Sequence, residues 1–424
     1  MKPKKKFSIL LIIFLIMNFF ICSNIFAIEP DVHAEAIFSA EVSTGKILFE
    51  KNAHEKMYPA STTKVMTALL VLENCKLTDT ATASYNAISI IPSGYSIANI
   101  QVGETLSIED LLYALMLPSA NEAANVLAEH VAGSIASFSS MMNTRAEELG
   151  CKQTHFVNPN GIHNEDHYST AYDLYLIASE AMKNETFRKI VSTPTYTLPP
   201  TEQYTDNDRV CKNTNQLIHV NNSSKPSNYY YKYCIGIKTG FTTQAQNCLI
   251  SQASKDGLEI INVVLGAGAT EDDLSVRYLD SIALFENAYN NYSMDNIKEE
   301  NDIIKTVEVK NGTKKTKNLD LLSKNTITAF HNIEIDLKNI EPEITLKDNF
   351  KAPIKKGDIV GTAKYKVDDL EYQTELIAGS DVEKSNIGMF LIISGIVILV
   401  LAMIIMPKKK GNRNKKYRYM VHNR

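Results

Sequence analysis

The sequence predicts a mixed α/β domain, a small β domain after it and one apolar helix near the C-terminus. Strand-like alternation frames a long helical middle between residues 34 and 292. Short alternating runs with turn signals fill residues 293–380, and residues 387–406 form an unbroken uncharged, mostly apolar run.

Each element follows in chain order. Lys2, Lys4, Lys5 and Lys6 precede an apolar stretch from Phe7 to Ile21, and Ala27 offers a small residue for cleavage. That is the layout of a secretory signal over residues 1–27. The alternative is an uncleaved span, because Ile25 stands where a second small residue is usual. Residues 28–292 form the main domain. Ala36 to Phe49 alternates around Ser43-Thr44-Gly45-Lys46, which reads as a hairpin. Ser107-Ile108-Glu109-Asp110 has capping-box form and opens a helix through Leu117. A further helix runs from Glu122 to His130 after a break at Pro118. Cys234 to Ile237, Leu249 to Ala253 and Leu258 to Leu265 read as strands, the last two joined by a turn at Lys255-Asp256-Gly257. Ser275 to Tyr289 reads as an amphipathic helix with Leu279, Ile282, Phe285 and Tyr289 on its apolar stripe.

Residues 293–380 are rich in Lys, Asp, Thr, Ile and Val and turn at Lys310-Asn311-Gly312 and Lys356-Gly357-Asp358, a small β-rich domain. At 1.5 Å per residue the run at 387–406 spans ~30 Å, the thickness of a bilayer core. Lys408, Lys409, Lys410, Arg413, Lys415, Lys416 and Arg418 follow it. By the positive-inside rule, residues 407–424 are a cytoplasmic tail and the domains lie outside the membrane.

Composition bounds the function. Of 424 residues, 44% are apolar and 22% charged, with a formal net charge of −4, as expected of a globular chain with a core. Dense basic clusters occur only beside the terminal apolar runs, which argues against nucleic-acid binding. Cys75, Cys151, Cys211, Cys234 and Cys248, scattered beyond the signal, do not form a disulfide framework.

Three short motifs carry candidate chemistry. Ser61-Thr62-Thr63-Lys64 opens an apolar run through Leu72, so it should start a buried helix. Residues three apart share a helix face, so Ser61 and Lys64 should meet. Burial disfavours an ammonium, and a neutral lysine can take a serine proton. Ser43 and Lys46 have the same spacing, but Gly45 lies between them in a hairpin turn. Ser119-Ala120-Asn121 follows the Pro118 break, where a hydroxyl and an amide can face one cleft or simply cap the next helix. Lys238-Thr239-Gly240 ends a strand whose exposed edge could pair with an extended peptide, with Gly240 allowing close approach. Cys151, His155, His163 and His167 imitate metal-ligand spacing, but His163-Asn164-Glu165-Asp166-His167 is not the H-E-x-x-H pattern, so no metal is expected.

In order and spacing, the three motifs resemble those of the low-molecular-mass D-alanyl-D-alanine carboxypeptidases, penicillin-binding serine peptidases of the β-lactamase/transpeptidase superfamily. The resemblance runs from about Ala34 to Ala378 and includes His167-Tyr168-Ser169-Thr170-Ala171 and Pro353-Ile354-Lys355-Lys356-Gly357-Asp358. It implies a β-lactamase/transpeptidase-like α/β (α+β) domain, an antiparallel sheet flanked by helices. It implies Ser61 as acylated nucleophile, Lys64 as its base and Ser119 as proton relay to the leaving D-alanine. Asn121 would contact the peptide, Lys238 would set the electrostatics and polarise Ser119, and Thr239 would bind the terminal carboxylate. Gly240 would admit the substrate, the amides of Ser61 and Phe241 would form the oxyanion hole, and Arg277 would assist carboxylate binding. The implied partners are peptidoglycan peptide stems, β-lactam antibiotics and the bilayer, with no cofactor. The chain departs where some relatives carry arginine at Thr214 and histidine at Asn160 and Phe241. Two rival functions are a β-lactamase, for which a glutamate-centred deacylation loop is wanting, and a non-catalytic wall-binding scaffold.

Overall fold

The computed structural model describes residues 30–220, 229–269 and 275–406. The expected signal at 1–27 and basic tail at 407–424 lie outside the described residues. The rest divides into two compact units. One holds the described residues up to Met294 together with Phe330–Ile335; the other holds Asp295–Ala329 and the described residues from Asp336 on.

The first unit is built on a five-stranded sheet of β1 (Ala36–Glu41), β2 (Ile47–Lys51), β3 (Cys234–Thr242), β4 (Gln246–Lys255) and β5 (Leu258–Ala267), in the order β2-β1-β5-β4-β3. Every neighbouring pair is antiparallel. The long excursion between β2 and β3 supplies the helices. Besides a short one at Tyr85–Ser89, these are α1 (Lys64–Asn74), α2 (Ile108–Met116), α3 (Asn121–Ala132), α4 (Ile135–Glu148), α5 (Ala171–Ala181) and α6 (Glu185–Ser192). A last helix, α7 (Val276–Asn291), follows β5. Phe38, Leu70, Leu111, Leu127, Phe138 and Ile250 share one buried core between sheet and helices. β3 is an edge strand, so one side of its backbone is free to face a cleft.

Local signals act as read. Ser107 Oγ accepts from the Asp110 amide at 3.1 Å, and α2 begins at the next residue. Asp256 and Gly257 both take positive φ in the β4–β5 turn. Of the stripe expected on α7, Phe285 is buried, Ile282 and Tyr289 are half-buried, and the expectation for Leu279 is corrected. The helix's buried face is Val276, Tyr278, Asp280, Ser281, Leu284, Phe285 and Ala288, and Leu279 is exposed. The helix turns this way because the buried Asp280 carboxylate accepts the backbone N–H groups of His33 (3.0 Å) and Ala34 (2.8 Å). No local pattern encodes a partner so far along the chain.

The second unit holds a five-stranded antiparallel sheet of β6 (Ile303–Glu308), β7 (Asn318–Ser323), β8 (Glu343–Leu346), β9 (Ile359–Val367) and β10 (Leu370–Ala378), in the order β6-β7-β10-β9-β8. In β9, Ala363, Tyr365 and Val367 point into the core while Thr362, Lys364 and Lys366 face out, the period-two pattern of a half-buried strand. Leu319, Leu321 and Leu376 complete that core. The chain then forms α8 (Ile387–Ile405), whose segment Gly388–Ile405 is long and apolar enough to cross a membrane.

Candidate active site

Ser61 lies in a tight 3-10 turn, Ala60–Thr63, that runs directly into α1. The α-helix itself thus begins at Lys64, slightly later than the sequence suggested. The pairing survives because residues three apart eclipse one another in a 3-10 turn. Ala60 takes φ +47, and Thr62 ties back to the Pro59 carbonyl through its hydroxyl (2.6 Å) and its amide (3.2 Å). Thr63 Oγ1 meets His167 Nε2 at 2.8 Å, and Thr67 Oγ1 donates to the Pro159 carbonyl at 2.6 Å. The Val157 amide donates to His167 Nδ1 (3.2 Å), so Nε2 carries the proton given to Thr63. Burial, with His155, Lys64 and His163 nearby, pushes His167 down to about 3, and the ring stays neutral. These threonine bonds fix the turn, so Ser61 opens onto a cleft while Lys64 points into the core.

Lys64 is fully buried; its Nζ donates to Asn121 Oδ1 at 2.9 Å and to the Asn160 carbonyl at 2.6 Å, and it is hydrogen-bonded to Ser61 Oγ at 3.1 Å. Burial pushes its pKa well below the usual lysine range; Lys238 pushes the same way and Glu122 opposes. Lys238, on β3, is also buried and donates to the Thr239 carbonyl at 3.1 Å. Its burial, and the Arg277 charge, lower it to about 7.

Ser119 holds φ +67, a left-handed conformation costly for a residue with a Cβ. Its Oγ is buried and, among the described residues, has no hydrogen-bond partner, so the expected Lys238–Ser119 contact is not a hydrogen bond here. Asn121 opens α3; its Nδ2 and backbone N–H both donate to the Ser96 carbonyl, at 2.9 and 3.0 Å. The motif thus joins the lysine to the opposite wall.

On β3, Thr239 Oγ1 meets Thr214 Oγ1 at 2.5 Å, and Arg277 Nη1 donates to the Gly240 carbonyl at 3.1 Å. A Cβ at Gly240 would sit 3.0 Å from the Pro59 carbonyl oxygen and 3.1 Å from the Ser61 amide nitrogen. Glycine is needed because the edge strand passes this close to the serine turn. Gly161, at φ +81, is tighter still: a Cβ would fall 1.9 Å from the Ala60 carbonyl oxygen. Phe241 projects outward, 62% exposed.

Ser61, Ser119, Asn121, Thr239, Phe241 and Arg277 all line one cleft of about 530 Å³, with Gly240 on the same wall. Lys64 and Lys238 lie beneath it. No sequence motif marks the Ser93–Ser96 wall, the Asn160 carbonyl or Glu122, which is buried one residue past Asn121. Turn composition at Ser93-Gly94 was the one local signal. Cys151, His155 and His167 do not converge as metal ligands. Cys151 Sγ donates to the Asp173 carbonyl (3.6 Å), His155 Nδ1 meets the Asp166 carbonyl (2.6 Å), and both His167 nitrogens are engaged. The five described cysteines are free thiols.

A hydroxyl bonded to a buried amine under the open edge of an antiparallel sheet is an arrangement that suits a serine hydrolase. Comparison with known proteins narrows the class: residues 24–269 match the D-alanyl-D-alanine carboxypeptidase family and residues 292–384 the C-terminal domain of penicillin-binding protein 5. The chain belongs to the D-alanyl-D-alanine carboxypeptidase family of penicillin-binding serine peptidases. It is 32% identical over 364 residues to the D-alanyl-D-alanine carboxypeptidase DacF of Bacillus subtilis, covering 84% of this chain and 88% of that one. The crystal structure of the Streptomyces K15 DD-transpeptidase superposes with a TM-score of 0.54 at 34% identity, covering 62% of this chain and 98% of the other. A peptidoglycan synthesis regulatory factor (PBP3) from Streptococcus pneumoniae, at 23% identity, shares the fold over 83% of this chain and all (100%) of its own, with a TM-score of 0.66.

Proposed function

We propose that Ser61 is the nucleophile of a D,D-carboxypeptidase cycle on peptidoglycan pentapeptide stems, with Lys64 as its base. The carrying observation is the 3.1 Å bond between Lys64 Nζ and Ser61 Oγ at a fully buried lysine whose pKa is lowered. As the Ser61 oxygen attacks the carbonyl of the penultimate D-alanine, its proton passes to Lys64. The Ser61 and Phe241 amides hold the developing oxyanion. Collapse breaks the peptide bond. Ser119, whose hydroxyl has no hydrogen-bond partner among the described residues, relays a proton to the departing amino group, and D-alanine leaves. Water then hydrolyses the ester on Ser61. Thr239 and Arg277 hold the terminal carboxylate, Lys238 sets the electrostatics beneath them and polarises Ser119, and Asn121 and the edge of β3 hold the stem backbone. β-Lactams acylate the same serine. Residues 28–292 serve as the catalytic domain and 293–380 as the β-rich domain. Residues 387–406 serve as the membrane anchor, with the tail at 407–424 cytoplasmic and the catalytic domain on the outer side.

The test is peptide mass mapping of the penicillin-treated full chain, alongside D-alanine release from a pentapeptide by wild type and Ser61→Ala. An adduct on the Ser61 peptide and loss of release in Ser61→Ala are expected. An adduct elsewhere, or unchanged release, refutes the assignment.

A further inference from the structure

We infer that Glu122 is a positioning residue for this reaction, bracing the cleft wall and supplying the counter-charge for the proton transfer from Ser61 to Lys64. This rests on the mechanism proposed above. Glu122 is 2% exposed in the first turn of α3. Its Oε1 accepts the backbone N–H groups of Ala98 (2.6 Å) and Ile100 (3.4 Å). That segment follows directly on the Ser93–Ser96 wall of the cleft, which Asn121 grips at the Ser96 carbonyl. Two consecutive residues therefore pin one wall, and Asn121 Oδ1 also reaches Lys64.

The second carboxylate oxygen has a different meaning. Among the described residues, Glu122 Oε2 is buried without a hydrogen-bond partner. A wall brace needs only Oε1. A buried carboxylate retaining an unbonded oxygen is costly unless a positive charge lies near. Burial raises the Glu122 carboxyl and lowers the Lys64 amine, and against that each group favours the ionised form of the other; Lys64, on α1, becomes the nearby charge when it takes up the Ser61 proton. The further groups facing the pair are Cys211 on the Val210–Lys212 strand toward Glu122, and Lys238 on β3 and His167 toward Lys64. Burial raises the Cys211 thiol to about 11 and lowers His167 to about 3, so both are neutral near pH 7. Of the charged groups acting on Lys64, Lys238 opposes its protonation and Glu122 favours it. When the C–O bond forms and the Ser61 proton arrives, a buried ammonium appears beside Lys238. Glu122 offsets it.

The test compares wild type, E122Q and E122A as full chains. Acylation by a fluorescent penicillin is followed from pH 5 to 9, with KM and kcat for a D-alanyl-D-alanine peptide and thermal melting. Glutamine keeps an oxygen for the Ala98 and Ile100 amides and loses the charge. E122Q should acylate about tenfold more slowly on the plateau, with KM near wild type. Its acid limb should move to lower pH, because Lys64 without its counter-ion deprotonates more readily. E122A should show the same limb shift together with a raised KM and a lower melting temperature. A wild-type rate and limb in E122Q, or variants that differ from wild type in melting alone, overturn the inference. Mass mapping separates the two levels: a Ser61 adduct in wild type with an unchanged E122Q removes only the Glu122 role, and no Ser61 adduct removes the mechanism beneath it as well.

Discussion

Lys64 Nζ bonds Ser61 Oγ at 3.1 Å from a position with no solvent exposure, while the serine faces the cleft. The relation matters because the same lysine also donates to two fixed acceptors, Asn121 Oδ1 and the Asn160 carbonyl. Those bonds hold the amine in place without requiring it to be charged. The site thus holds a lysine whose pKa is lowered by burial and whose amine is already aimed.

Ser119 should separate function from stability. Its buried hydroxyl has no partner among the described residues, and its backbone is left-handed. Ser119→Ala removes an unsatisfied polar group, so the protein should melt no lower than wild type. Turnover of a D-alanyl-D-alanine peptide should fall by about 10²-fold. Calorimetry and steady-state kinetics check this; a melting temperature several degrees lower would mean the hydroxyl is structural.

Gly240→Ala should damage the site more than the fold. The new methyl would press on the Pro59 carbonyl oxygen at 3.0 Å and the Ser61 amide nitrogen at 3.1 Å. Because a 1 Å misplacement can cost about 10²-fold in rate, penicillin acylation should drop by at least about tenfold while circular dichroism stays native. Unchanged acylation would show that β3 has room to retreat.

Substrate affinity should weaken in mild alkali. Lys238 is lowered to about 7 by burial and by Arg277, so its ammonium is present below that pH and lost above it. A substrate carboxylate gains from the ammonium alone. KM for a D-alanyl-D-alanine peptide should therefore rise as pH passes upward through about 7. A KM flat from pH 6 to 9 would exclude Lys238 as a carboxylate partner.

The fold should depend on one buried ion pair remote from the chemistry. Arg209 reaches Glu104 through Nη1 (3.0 Å) and Nη2 (2.6 Å), with both side chains buried. Glu104→Gln leaves the guanidinium without its counter-ion, which should cost about 3–5 kcal/mol. A fall in melting temperature of roughly 10 °C is expected, and a shift under 2 °C would contradict it.

Much of this was legible in the sequence because the signals are local. Ser107 caps α2 through the Asp110 amide, Gly257 turns β4 into β5, and the apolar run after Ser61 is the buried α1. Lys238, Thr239 and Gly240 lie within β3, and β3 is an edge. What escaped has partners distant in sequence. Asp280 buries itself on the amides of His33 and Ala34, which turns Leu279 of α7 out of the stripe expected for it. Asn160 contributes a backbone carbonyl, which no residue pattern marks. Glu122 reads as an ordinary first-turn acid until the fold brings Ala98 and Lys64 to it.

The most direct measurement of the central claim is the pH dependence of Ser61 acylation by a penicillin, taken by stopped flow on the wild-type chain. Burial and Lys238 hold Lys64 well below the ordinary lysine range, so its free base persists below that range and is lost only as pH falls through the lowered value. The account predicts a rate that reaches its plateau well below the ordinary lysine pKa, with a single acid limb that disappears together with the activity in Lys64→Met. A rate still climbing toward the ordinary lysine pKa of about 10.4 would contradict it, and so would a Lys64→Met protein that acylates at the wild-type rate.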